Sequence, residues 1–308
     1  MLELNRVMLQ PKNEFGDPTK SLFGIEIEAE KVGSPDVVPE SWTVVGDSSL
    51  KDHGAEFVSK PLLMESVGPA IVSLYSAIPS FSKQKASFGP RTSIHIHSNI
   101  RWMENQAQLM PLIFAYLLQE DLMYSFVAPS RRSNIFCVRA KEGDWLAKLL
   151  SYGCIEENNT FKYSGFNLQS VLKHGTVEFR HLEGTYDIKK ILNWVKLIDN
   201  IQTYAKQSVL GLAFMHEIRK PVGITQNITE AYKPYFDQST IDASISDGLE
   251  YFRYVVADGM TSFVRNALKP ENFNTSHNCS RTVKIESTID HDLRTIAYNG
   301  MCISHSLT

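Results

Sequence analysis

Through the first 183 residues, apolar and polar positions alternate with period two in five short segments: SLFGIEIEAE (21–30), WTVVG (42–46), AEFVS (55–59), TSIHIHSNI (92–100) and GTVEFRHLE (175–183). This alternation predicts strands, each with one apolar face and one chemically rich face. Between them, LLMESVGPAIVSLYSAI (62–78), QLMPLIFAYLLQEDLMYSF (108–126) and GDWLAKLLSY (143–152) read as helices. After HLEGTYD the period changes. Ile188, Ile191, Leu192, Val195 and Ile198 recur at helical spacing behind Asp187, whose carboxylate suits an N-cap, and the helix is expected to run past residue 200. Beyond about 212 the best helical stretch is ISDGLEYFRYVVADGMTSFVRNAL (245–268), followed by a polar run, NFNTSHNCSRTVKIEST, without a period. There is no internal repeat. Strands and helices that do not alternate regularly predict an α+β fold on a mainly antiparallel sheet, with helices on one face and chemistry on the other. Residues 1–210 are expected to form one domain and 211–308 a mostly helical extension packed on it.

Composition narrows this picture little. The chain has 308 residues, 43% hydrophobic and 21% charged, the profile of an ordinary globular protein. A net charge of -3 and a pI near 6.3 provide no global basic field, so nucleic acid is not an expected partner. The four cysteines, Cys137, Cys154, Cys279 and Cys302, form no CxxC pair, which fits a reducing, cytoplasmic setting. The start, MLELNRVMLQPKNEFG, lacks a signal peptide's charged-then-apolar layout. The most apolar window, 109–128, contains Glu120 and Asp121, so it reads as a core helix rather than a membrane span.

The strand faces carry the candidate chemistry. In FGIEIEAE, Glu26, Glu28 and Glu30 point one way and Ile25, Ile27 and Ala29 the other. Acids about 7 Å apart on one strand repel unless water or a cation lies between them. His95 and His97 share a face, Glu178 and Arg180 share another, and Glu56 sits in an otherwise apolar strand. Asp47 ends the strand before Glu56, so the hairpin can place both acids near one ion, although Asp47 also suits turn initiation. Taken singly, EIE fits a solvated edge, HIH a structural pair or a zinc site, and EFR a cross-strand ion pair. Taken together, four such segments on one sheet face need compensating cations. A carboxylate-rich set with one or two imidazoles suits Mg2+ or Mn2+ better than zinc.

The series GIEIE, VVGDSSL…GAEFVSKPL, SIHIHSN, RRSN and GTVEFRHLEGT, followed by a helix with Trp194, resembles the amidoligase family over residues 20–206. These are carboxylate-amine ligases sharing the fold of glutamine synthetase and glutamate-cysteine ligase. The resemblance implies a curved antiparallel sheet whose concave face holds ATP and two or more Mg2+ ions. It makes Glu26, Glu28, Asp47, Glu56 and Glu178 metal ligands, and has His95 or His97 contact metal or phosphates. Arg180 would face the transferred phosphoryl group, with Arg131, Arg132 and Asn134 near substrate or nucleotide. The implied activity joins a carboxylate to an amine through an acyl phosphate, with an amino acid or peptide as substrate. No GxxxxGK[ST] loop is present, so nucleotide binding would rest on the sheet and its metals. An ATP-dependent guanidino-type phosphotransferase, a metal-dependent hydrolase and a cation-stabilised scaffold stand as alternatives.

Overall fold

A computed structural model of the chain describes residues 20–33, 35, 37–103, 108–143, 145–146, 162–209 and 212–267. The first sixteen residues, most of the segment 143–152, Cys154, Cys279, Cys302 and the polar run 272–288 lie outside these.

All five alternating segments are strands: β1 (Leu22–Ala29), β2 (Trp42–Val45), β3 (Ala55–Ser59), β5 (Ser93–Asn99) and β7 (Thr176–Glu183). Two short strands that the alternation does not reveal, β4 (Leu62–Leu63) and β6 (Phe166–Asn167), complete a seven-stranded sheet. Its order is β2-β3-β1-β5-β7-β6, with β4 also on β1, and every pairing within it is antiparallel. The protein is therefore α+β on an antiparallel sheet. The alternation works as period two requires: Phe23, Ile25, Ile27 and Ala29 of β1, Ile94 and Ile96 of β5, and Val177 and Phe179 of β7 are buried in one core.

Helices supply the other side of that core. The longer ones are α1 (Met64–Ala77), α2 (Leu109–Phe126), α3 (Ile188–Gln207), α4 (Leu212–Arg219), α5 (Val222–Tyr232) and α6 (Gln238–Ala267). Asp187 caps α3 as its position predicts, its Oδ1 accepting from the Lys190 N–H at 3.0 Å. The apolar window at 109–126 is a core helix buried nearly all round, and no helix among the described residues is long and apolar enough to cross a membrane. Its Glu120 is tolerated because its carboxylate accepts from the Tyr116 hydroxyl at 2.6 Å and the Ala140 N–H at 2.8 Å. Burial nonetheless raises that carboxyl to about 7, outweighing the two bonds.

The helices beyond residue 212 share the core with the sheet rather than forming a second one: Phe214, Ile228, Ile245 and Phe252 belong to the same cluster as Ile25 and Ile96. The closest approach is at Gly248 of α6, where a Cβ would lie 2.2 Å from the Leu117 carbonyl oxygen of α2. Only a residue without a side chain lets the two backbones meet there. Gly248→Ala is expected to cost about 1–3 kcal/mol through overpacking. Chemical denaturation checks this, and an unchanged midpoint would mean that α6 is free to shift.

Candidate functional site

The face of the sheet away from the helices gathers the sequence's acids and histidines. Register explains the gathering: Glu26 of β1 pairs with His95 of β5, Glu28 pairs with Glu56 of β3, and His97 pairs with Glu178 of β7. Directly opposed residues point to the same side, so four adjacent strands contribute to one patch. Gly24 lies opposite His97, and a Cβ there would stand 3.3 Å from the His97 Cβ; its absence gives the imidazole room. A β-bulge sets the last part of the geometry. Between Ile94 and Ile96 the single residue His95 faces two residues of β7, Arg180 and His181. Arg180 turns to the acids, while His181 enters the helical layer beside Tyr116 and Trp194.

Both histidines reach the cluster. His95 Nδ1 is 3.2 Å from Glu26 Oε2 and 3.3 Å from Glu178 Oε1. His97 Nε2 is 3.0 Å from Glu26 Oε1, yet this buried nitrogen is not aligned for a hydrogen bond, while Nδ1 engages the Thr176 hydroxyl at 2.9 Å. Glu178 Oε2 accepts from Asn167 Nδ2 at 2.7 Å and the Ser170 hydroxyl at 2.9 Å, and its Oε1 takes a bond from Arg180 Nη1. The Phe136 carbonyl holds Arg180 Nε at 3.2 Å.

Charge follows from this crowding. Burial raises the Glu26 carboxyl, but the charge of His97 first, and then the hydrogen bond and charge of His95, hold it well below the usual range. Glu178 is likewise pushed up by burial and pulled down, by Arg180 first and then the two histidines, to about 2. For Glu56, burial first, then the charge of Glu26 and a hydrogen bond with it, then repulsion from Glu28 and Asp47, raise the carboxyl to about 8. For His97, the anions Glu26 and Glu178 overcome burial and the opposing Arg180 charge, and raise the imidazole to about 9.

Two sets of donor atoms could each hold a cation: Glu26, His97 and Glu178, and Glu26, Glu56 and His95, each set lying within 4.8 Å of one another. Donors opposite one another across an ion with ligand distances of about 2.1 Å stand about 4.2 Å apart, so small contractions suffice. The unsatisfied, buried His97 Nε2 and the mix of carboxylates with imidazole fit a hard divalent cation of the Mg2+ or Mn2+ kind. Glu26 belongs to both sets.

The other sequence-predicted residues have different surroundings. Glu28 Oε2 accepts from Ser93, through its N–H at 2.9 Å and its hydroxyl at 2.6 Å. Asp47 Oδ1 accepts from the Ser49 N–H at 2.7 Å in a turn, near enough to Glu56 to repel it. The hydrogen bonds of Arg131, Arg132 and Asn134 go to backbone, not to the acids. Arg131 donates to the His181 and Arg180 carbonyls, Arg132 to the Tyr124 and Ser125 carbonyls at the end of α2, and Asn134 to Pro90 O. They brace β7 and the loop that supplies the Phe136 carbonyl. Glu30, at the strand end, accepts from the Lys51 N–H at 3.1 Å.

A pocket of about 180 Å3 opens beside Glu26 and His97 and is also lined by Gly24, Arg101, His174 and Thr176. A wider groove of about 670 Å3 between α3 and α5 has none of the sheet's acids on its walls. Comparison of the chain with protein-family models and with curated proteins finds no match.

A pH dependence follows for the cation-free protein. Glu56 is raised from 4.5 to about 8 and His97 from 6.5 to about 9, so the fold binds both protons more tightly than the unfolded chain does. The stability they contribute is full below those ordinary values and lost as pH rises through about 8 and about 9. Glu178 works oppositely, its contribution present above 4.5 and lost only as pH falls through about 2. In EDTA the melting temperature is therefore expected to drop between about pH 4.5 and 9, and Mn2+ to restore it. A flat profile in EDTA would contradict the charge assignment.

Proposed function

We propose that the protein is an ATP- and Mg2+- or Mn2+-dependent carboxylate-amine ligase, built on a glutamine-synthetase-like sheet and forming an amide or isopeptide bond. The observation that carries this reading is the pair of candidate cation sets sharing Glu26, with Arg180 beside them on the same face. A carboxylate is a poor electrophile toward an amine until phosphoryl transfer from ATP activates it, and such transfer needs charge neutralisation more than covalent help. The divalent cations, when bound, would supply that neutralisation at the phosphoryl oxygens.

The chain's own residues do the rest. Glu26, Glu56, Glu178, His95 and His97 would hold the cations. Arg180, tethered by Glu178 and the Phe136 carbonyl, presents a fixed positive charge for the transferred group. The pocket beside Glu26 is smaller than the about 300–1,000 Å3 typical of ligand clefts, a size for part of an amino acid or peptide rather than for a nucleotide. The nucleotide would then bind outside this pocket.

Paired amino acids and small peptides, incubated with ATP and Mg2+ or Mn2+, test the proposal. The expected result is ADP release only when a carboxylate and an amine are both present, with hydroxylamine trapping a hydroxamate. A phosphoramidate product would indicate a phosphotransferase. Hydrolysis without ATP would indicate a metal-dependent hydrolase. Thermal stabilisation by metal but never by ATP would leave a scaffold.

A further inference from the structure

We infer that Ser93 is a positioning residue that fixes the tautomer of His95 and so turns its Nδ1 lone pair onto a cation, with Glu28 acting through Ser93 rather than as a direct ligand. This rests on the cation-site half of the proposed function, not on the ligase chemistry.

The direction of each hydrogen bond is forced. Ser93 Oγ is 2.6 Å from Glu28 Oε2 and 2.7 Å from His95 Nε2. A hydroxyl has one proton, and a carboxylate only accepts, so that proton goes to Glu28. Ser93 Oγ is then left with lone pairs, and His95 Nε2 must carry the hydrogen between them. In the cation-free protein Nδ1 also carries a hydrogen, toward Glu26 Oε2; a cation at Nδ1 displaces it and leaves the neutral imidazole with its single N–H on Nε2 and a lone pair on Nδ1. It faces Glu26 Oε2 at 3.2 Å and Glu178 Oε1 at 3.3 Å, with the His95 side chain only 3% exposed. With that hydrogen displaced, three acceptors converge on one buried point, where a cation satisfies all of them.

No comparable constraint acts on His97, because the Thr176 hydroxyl can donate to its Nδ1 or accept from it. Glu28 has one oxygen committed twice to Ser93, and it contributes no atom to either candidate cation set. The arrangement is the carboxylate-to-imidazole support that metal-bound histidines commonly have, with a serine hydroxyl interposed.

Mn2+ titration, followed by the electron paramagnetic resonance signal of the free ion, tests this with wild type, Ser93→Ala, Ser93→Thr and Glu28→Gln. Ser93→Ala is expected to weaken one Mn2+ site about 10–100-fold, and Ser93→Thr, which keeps the hydroxyl, to recover most of that loss. Imidazole nitrogen shifts of wild type with saturating Mg2+ are expected to show His95 as the Nε2–H tautomer, a readout that stands even if Ser93→Ala does not fold. Mn2+ binding by folded Ser93→Ala as tight as wild type, or an Nδ1–H tautomer, overturns the inference. Ser93-dependent Mn2+ binding without any ADP release would uphold it while refuting the ligase reading.

Discussion

Glu26→Gln is expected to abolish both cation sites in one step, lowering Mn2+ affinity more than about 100-fold, beyond the usual loss from an outer-shell substitution. The reason is its place in both donor sets. One carboxylate oxygen faces His97 Nε2 and the other His95 Nδ1. Substituting any other acid leaves one complete set; substituting Glu26 leaves none. Metal-induced gain in melting temperature and any ATP turnover should disappear together. Calorimetric titration at fixed pH measures the first, and ADP release the second. Retention of a single tight site in Glu26→Gln would mean that the two sets do not share their ligand.

Arg180→Met is expected to be the most damaging substitution for stability, by about 3–5 kcal/mol, because it strands a buried charge. The Glu178 side chain is 5% exposed and its carboxyl is held ionised first of all by Arg180. Without the guanidinium, that anion faces Glu26 with two imidazoles as its remaining charged compensation. Adding Glu178→Gln should return much of the loss, since the amide carries no charge. Its oxygen can still accept from Asn167 and Ser170. Urea denaturation of the two single variants and the double variant gives the coupling directly. Additive losses would show that Arg180 stabilises through the Phe136 carbonyl alone.

Much of the architecture was legible because strand faces obey period two. Ile25 and Ile27 inward with Glu26 and Glu28 outward, and the matching split in SIHIHS and TVEFR, needed nothing beyond alternation. Asp187 was equally legible, since an N-cap is a local feature. What alternation does not carry is register. The pairing of Glu26 with His95, and the bulge that sets Arg180 and His181 against His95, depend on contacts between strands far apart in sequence.

Ser93 and Thr176 were within reach, each lying two residues before a predicted site residue on the same face. Asn167 and Ser170 were not, because a two-residue strand has no period to read. The RRSN run shows the opposite problem. The resemblance places these residues near substrate or nucleotide, and Arg131 is buried with Nε and Nη2 on the His181 and Arg180 carbonyls of β7, contacts that only the folded neighbourhood reveals.

Crystals soaked in Mn2+ and measured at its absorption edge give the most direct test of the site. Two anomalous peaks are predicted on the sheet face, both within ligand distance of a Glu26 carboxylate oxygen, one beside His97 and Glu178 and the other beside Glu56 and His95. No peak on that face, or peaks that Glu26 does not touch, would contradict the account.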